Sequence, residues 1–312
     1  MAFDWGLTPA NADPSNLWGN ARGGSAVQTQ TQSREGQAPP ARGLSQAAAA
    51  KWAGDAQSDH AVRLDAVSHA YEDRRGSVIQ ALAGVSLHAP RGSVLAVVGP
   101  SGCGKTTLLE LICGLQQPDA GTVECDQAVL MPQRDLLLPW LSAVDNAALA
   151  LRIAGDSRAR ARTRGAALFE ELGLSGFERA RPRELSGGMR QRVAFLRTLL
   201  SGKPLLCLDE PLSALDAITR QEMQEWLTGA LLREPRTVMI VTHDVEEAIV
   251  LADRVAVLSP RPGRVVAELT VGLPRPRKRT DPEVLALREQ AMRALQMGAS
   301  VGDSPSSGDS LR

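Results

Sequence analysis

No run of eighteen apolar residues occurs anywhere in the 312-residue sequence, so no segment reads as a membrane span. Net charge is also missing. Lys plus Arg number 35 and Asp plus Glu number 35, a balance that argues against a broad nucleic-acid-binding surface. Cysteine is scarce, at Cys103, Cys113, Cys125 and Cys207, and no two form a C-x-x-C pair. That argues against a zinc site or a disulfide framework and fits a reduced, cytosolic setting. The stretch Met1 to Asn20 has no basic start followed by an apolar segment, so it does not read as a secretory signal. Lysine occupies only four positions, the remaining basic residues being arginine, which makes Lys105 conspicuous.

What is present is a chain long enough for one large domain or two small ones, 43% hydrophobic, with material for a sizeable core. Residues 1–60 are rich in Ala, Gln, Ser, Gly and Pro and read as a disordered extension. Trp5, Trp18 and Trp52 interrupt it, as incidental aromatics or, alternatively, as a short docking motif. Residues 298–312 read as a flexible tail. Between the tails, strands are predicted at Val62–Tyr71, Val78–His88, Val94–Val98, Ala128–Met131, Leu205–Leu208, Val238–Val241, Arg254–Leu258 and Val265–Leu269. Helices are predicted at Lys105–Leu115, Ala143–Ile153, Ser157–Leu172, Gly188–Leu200, Asp216–Leu231 and Val245–Leu251. This is an α/β order with a parallel sheet, interrupted by a helical insertion over about 134–200.

Three motifs carry the chemistry. Gly99-Pro100-Ser101-Gly102-Cys103-Gly104-Lys105-Thr106 fits the G-x-x-x-x-G-K-[ST] phosphate loop, with an apolar strand before it and a helix after it. Its glycines let backbone N–H groups turn inward around phosphates, and the helix start adds a positive dipole end. Lys105 is placed for the outer phosphates and the Thr106 hydroxyl for Mg²⁺. Cys103 reads as a spacer, the alternative being a reactive thiol activated by the helix start. The second motif is Leu205-Leu206-Cys207-Leu208-Asp209-Glu210, a buried strand ending in two carboxylates. Asp209 is suited to hold Mg²⁺ through water and Glu210 to polarise the attacking water, a base worth about 10²–10⁴-fold. Between them lies Leu185-Ser186-Gly187-Gly188-Met189-Arg190-Gln191, a small-residue loop at a helix start that offers N–H groups to a second anion.

The third motif resembles the signature of ATP-binding-cassette (ABC) ATPases, and its place ahead of the carboxylate strand is that family's order. The resemblance covers about residues 61–295. It implies a P-loop NTPase cassette: a RecA-like parallel-sheet core, an antiparallel β-subdomain and a helical subdomain, all within 61–297. It implies ATP and Mg²⁺ as cofactors. Nucleotide contacts fall on Tyr71, which stacks on adenine, and on Gly99, Pro100, Ser101, Gly102, Cys103, Gly104, Lys105, Thr106 and Thr107. Glu210, His243 and Gln133 are the implied catalytic residues, and Thr106, Gln133 and Asp209 the metal site. Ser186, Gly187, Gly188 and Gln191 would act in trans, and Asp216 would mark the D-loop Ser213-Ala214-Leu215-Asp216. A surface role is the simpler alternative for Tyr71. His60, His69 and His88 match no motif and read as exposed or structural.

The same resemblance implies a head-to-tail homodimer in the ATP-bound state. The apolar segment Asp135–Leu141 reads either as insertion core or as a docking groove for a membrane permease. The stretches Ser259–Arg264 and Leu273–Arg277 are similar to importer ATPases of the nitrate, sulfonate and taurine group, which also includes importers of thiamine-precursor pyrimidines. Implied partners are permease subunits and, indirectly, an extracytoplasmic solute-binding protein, with no nucleic acid. The implied location is peripheral, on the cytoplasmic face of the inner membrane. A non-transport ABC switch is the competing class. The basic run Arg275–Arg279 reads as solvated surface or as a contact with anionic headgroups.

Overall fold

The computed structural model describes residues 59–213, 215–233 and 236–301. The N-terminal extension with its three tryptophans, Ala214 of the D-loop, and residues 302–312 lie outside them. Strand β1 (His60–Glu72) pairs antiparallel with β2 (Val78–Pro90) and with β4 (Ala120–Cys125), giving a three-stranded sheet. The second sheet has six strands, in the order β5-β6-β7-β3-β8-β9. These are β3 (Val94–Val98), β5 (Ala128–Met131), β6 (Leu205–Asp209), β7 (Thr237–Thr242), β8 (Arg254–Leu258) and β9 (Val265–Thr270). All neighbours run parallel except β8 and β9.

The central strands explain why continuous apolar runs appear in the sequence. All five residues of β3 and of β6, and all six of β7, are buried. Both faces of a parallel sheet are covered, so no alternation is needed. Within β3, Val94, Ala96 and Val98 enter one apolar cluster and Leu95 and Val97 the other. The second cluster also takes α1 (Lys105–Ile112) and the inward face of β1 and β2. The first takes the helical insertion and the helices that follow β6 and β7, α6 (Ala217–Arg233) and α7 (Val245–Leu251).

Four helices fill the insertion: α2 (Ala143–Ala147), α3 (Leu149–Ile153), α4 (Arg158–Ala166) and α5 (Gly187–Leu199). Ser142, Ser157 and Ser186 cap α2, α4 and α5, each accepting from a backbone N–H three residues on. Several predicted boundaries shift. The helix expected over 143–153 is broken at Ala148, and the one expected to reach Leu172 ends at Ala166. Helix α1 stops at Ile112, where Gly114 at φ 67 takes the left-handed position that favours glycine. Strand β4 and the final helix α8 (Pro282–Val301) were not predicted, and α8 places 298–301 in a helix rather than in the tail. No helix among the described residues is long and apolar enough to cross a membrane.

Candidate functional site

Four loops converge at the carboxyl ends of four adjacent parallel strands, the position where open α/β sheets bind ligands. In spatial order β5 delivers Gln133, β6 delivers Asp209 and Glu210, β7 delivers His243, and β3 delivers the glycine-rich loop.

The glycine-rich loop is wedged rather than suspended. Gly104 caps α1 in the left-handed region at φ 102, with no side chain competing for the first amides of the helix. A Cβ at Gly104 would sit 2.8 Å from the Ala81 carbonyl, so β2 presses directly on the loop. From the other side Gly263, in the turn between β8 and β9, approaches so closely that a Cβ would lie 2.2 Å from the Cys103 carbonyl. Lys105 is buried, and its Nζ donates to the carbonyls of Gly99 (2.8 Å) and Pro100 (3.0 Å). Ser101, Gly102 and Thr106 are exposed. The reactive-thiol alternative for Cys103 does not hold. Its side chain is buried, and burial pushes the thiol up, outweighing the pull of Lys105 in the other direction.

Thr106 Oγ1 donates to Asp209 Oδ2 at 2.9 Å, joining the loop to the end of β6. Burial pushes the Asp209 carboxyl above its ordinary range, with neighbouring Glu210 adding to the effect. A buried carboxylate next to a hydroxyl, with Lys105 close enough to offset only part of the burial, is a hard oxygen donor set that fits a small divalent cation. Glu210 is held on both oxygens: Gln133 Nε2 donates to Oε2 at 2.8 Å, and His243 Nδ1 lies 3.0 Å from Oε1. Its backbone is left-handed at φ 46, unusual for a side chain with a Cβ, and its N–H donates to the Val241 carbonyl. The predicted catalytic residues Gln133, Glu210 and His243 therefore meet at one carboxylate, beside the predicted metal site.

Tyr71, at the end of β1, is half-buried. Its hydroxyl lies 3.0 Å from Thr107 Oγ1, receives a hydrogen bond from Gln116 Nε2 at 3.0 Å, and donates to Glu110 Oε2 at 3.4 Å. His69 packs edge-on against the ring. Tyr71 is thus anchored beside α1 and is no isolated surface residue. His69 is buried and His88 bonds to Arg254, so both are structural.

The signature segment divides. Ser186 and Gly187 are exposed at the start of α5, where a helix N-terminus presents free amides. Gly188 is half-buried, and a Cβ there would lie 3.1 Å from the Leu215 side chain. Gln191 departs from the expectation of a role in trans. It is 3% exposed and donates to the Pro211 carbonyl, tying α5 to the turn after Glu210 rather than facing outward. Asp216 caps α6, accepting from the N–H groups of Ile218 and Thr219.

Sequence reasoning missed the residues that shape the segment after Gln133. Arg190 Nε donates to Asp135 Oδ2 (3.0 Å), and Arg197 donates to the carbonyls of Asp135 and Leu136 (2.8 Å each). Buried Asn146 accepts from Leu138 N–H and donates to the carbonyls of Leu138, Leu141 and Ser142. An asparagine inside an apolar helical stretch was the available signal. The segment itself splits: Leu137 is buried, whereas Leu136 and Trp140 are 58% and 67% exposed.

Comparison with known proteins agrees with this geometry. The ABC transporter family model matches residues 82–213. An aliphatic sulfonates import ATP-binding protein of Pseudomonas syringae is 44% identical over 217 residues, covering 69% of this chain and 90% of that protein. A taurine import ATP-binding protein of Burkholderia pseudomallei is 41% identical over 251 residues, covering 74% and 96%. A dimeric ATP-binding cassette solved in a post-hydrolysis state with ADP and Pi superimposes with a TM-score of 0.62. It is 29% identical, covering 67% of this chain and 98% of that one. With the nucleotide loop and the held carboxylate on one rim of the sheet and an exposed signature start on the helical insertion, the chain belongs to the ATP-binding-cassette ATPases of the ABC transporter family.

Proposed function

We propose that the chain is the ATPase subunit of an ABC importer for a small sulfonate-bearing solute such as an alkanesulfonate or taurine. The solute class is supported by two relatives more than 40% identical, one for aliphatic sulfonates and one for taurine. The observation that carries the catalytic part is Glu210, with one carboxylate oxygen on Gln133 and the other on His243.

Lys105 and the loop amides from Gly99 to Thr107 hold the triphosphate, and the Tyr71 ring stacks on adenine. Thr106, Asp209 and Gln133 are the residues that would hold Mg²⁺, which when bound neutralises charge on the β- and γ-phosphates. Glu210 accepts the proton of the attacking water, His243 orients that carboxylate and meets the γ-phosphate, and Gln133 reports the state of the site to the segment that follows it. Ser186, Gly187 and Gly188 act in trans on a nucleotide held by a second copy, and Asp216 shapes the loop facing that copy. The exposed Leu136 and Trp140 support a contact there with a permease subunit, and the protein in this reading is peripheral, on the cytoplasmic face of the membrane. A solute-binding protein outside the membrane would deliver the cargo.

The test is Glu210→Gln. With Mg-ATP the variant accumulates as a dimer on size exclusion while turnover disappears. A variant that stays monomeric at saturating Mg-ATP would overturn the shared site. Trp140→Ala loses co-purification with the permease while basal ATPase activity stays intact. Unchanged capture would remove the docking assignment. Uptake of labelled taurine or an alkanesulfonate by cells carrying the whole transporter tests the cargo.

A further inference from the structure

The basic run 275–279 is not a uniform solvated face: Lys278 is exposed, Arg275 and Arg279 are half-buried, and Arg277 is buried. Arg277 is 8% exposed, and its guanidinium is surrounded by backbone carbonyls. Nη1 donates to Ile249 (2.8 Å), Val250 (3.3 Å) and Ala252 (2.6 Å). Nη2 donates to Leu273 (2.8 Å) and Val271 (3.4 Å), and Nε to Leu273 (3.0 Å). Ile249 and Val250 lie in the last turn of α7 and Ala252 is its C-cap. Their carbonyls have no partner within the helix, and a cation there also meets the negative end of the helix dipole.

The neighbouring arginines hold the segment just after α7 and its first turn. Arg275 Nη2 pairs with Asp253 Oδ1 at 2.7 Å, and Asp253 Oδ2 accepts from Val94 N–H at the start of β3. Arg279 reaches the opposite end of α7, with Nε 3.1 Å from Glu246 Oε1, while its Nη2 donates to Gln224 of α6. Arg288 of α8 also faces Glu246, at 4.0 Å. A strap of nine residues, 271–279, thus crosses α7 and is pinned at both of its ends. His243 directly precedes Asp244, the N-cap of α7. The His243 side chain is 58% exposed, so little packing holds it in place. The position of its ring against Glu210 depends on the backbone, and therefore on how α7 is held.

We propose that Arg277, assisted by Arg279, is a positioning residue for hydrolysis, acting through α7 to hold His243 against Glu210. The proposal rests on the assignment of His243 to the catalytic site. It predicts an effect on turnover rather than on nucleotide affinity, because the hydrogen bonds and ion pairs described for the strap go to α6, α7 and their flanks and not to the phosphate loop. Arg277→Lys keeps the charge but, with three donors on a single nitrogen, cannot reach the carbonyls spread around the edges of the guanidinium. Arg279→Gln removes the exposed clasp with little risk to the core.

The experiment measures kcat and KM for Mg-ATP, with thermal melting as the folding control, in the full chain. The variants are Arg277→Lys, Arg279→Gln, Glu246→Gln, the Arg279→Gln/Glu246→Gln double and His243→Ala. The expected result is a fall in kcat of about tenfold for Arg277→Lys, with KM within about twofold. The Arg279/Glu246 double should be no worse than either single, the mark of a shared interaction. Addition of Arg277→Lys to His243→Ala should cost nothing further. A folded Arg277→Lys protein with unchanged kcat overturns the proposal, as does a parallel rise in KM or full additivity with His243→Ala. If His243→Ala itself turns over normally, the assignment of His243 has failed rather than the strap.

Discussion

Glu247 offers a stability measurement that isolates one buried carboxyl. It lies in the first turn of α7, 3% exposed. Thr242 Oγ1 donates weakly to its Oε2 at 3.4 Å, while Oε1 has no hydrogen-bond partner. Burial pushes the carboxyl from its ordinary 4.5 up to about 7. Asp244 and Glu210 add to the rise, whereas Thr242 and Arg220 oppose it. The folded protein therefore binds the proton more tightly than the unfolded chain. Stability from this group is complete below pH 4.5 and is lost as pH climbs to about 7. At about 1.4 kcal/mol per pH unit, the window corresponds to about 3 kcal/mol. Glu247→Gln fixes the group in a neutral form and removes that slope. Urea unfolding of nucleotide-free protein at pH 5, 6, 7 and 8 gives both curves. The difference between variant and parent should grow in the variant's favour with pH, reaching on the order of 2–3 kcal/mol by pH 8. Titrating groups that do not interact with Glu247 are shared and cancel in that difference. Curves that run parallel across the range would refute the reasoning.

Further outcomes can be checked with the same protein. Lys105→Ala should abolish ATPase turnover and weaken binding of a fluorescent ATP analogue, since the loop loses its only ammonium group. Gly263→Ala forces a methyl against the Cys103 carbonyl, so the phosphate loop must move. The expected readout is a rise in KM for ATP of about fivefold or more, with a lower melting temperature. Glu210→Gly relieves the left-handed backbone at φ 46 and should stabilise by about 1 kcal/mol in urea titrations while turnover vanishes. Asp135→Asn should loosen the segment after Gln133 by removing the charge facing Arg190, seen as faster amide hydrogen exchange over 134–142.

Legibility in the sequence followed the locality of each feature. Strand Val94–Val98 and helix Val245–Leu251 were predicted to the residue. The first is an uninterrupted apolar run ahead of a glycine loop, and the second starts at an aspartate cap. Strand Ala120–Cys125 carries mostly exposed and half-buried residues with no alternation, and exists because β1 offers it an edge. No local pattern announces such a strand. The break at Ala148 is equally silent, since alanine favours helix on both sides. In the site, the residues fixed by motif spacing converge as expected: Lys105, Thr106, Gln133, Asp209, Glu210 and His243. Gln191 misled because the signature's spacing does not say which face of α5 a side chain takes. Arg277 misled more thoroughly. A run of arginines has the composition of a wet surface, and only the folded chain brings five carbonyl-bearing residues around one of them.

The left-handed turn at Glu210 has a consequence for anyone selecting this protein in the laboratory. Endurance to heat and the ability to turn over nucleotide pull in opposite directions at that position. A library screened for survival alone would drift there toward glycine or asparagine and return sturdy but silent molecules. A screen that also demands transport would keep the glutamate and seek its gains elsewhere.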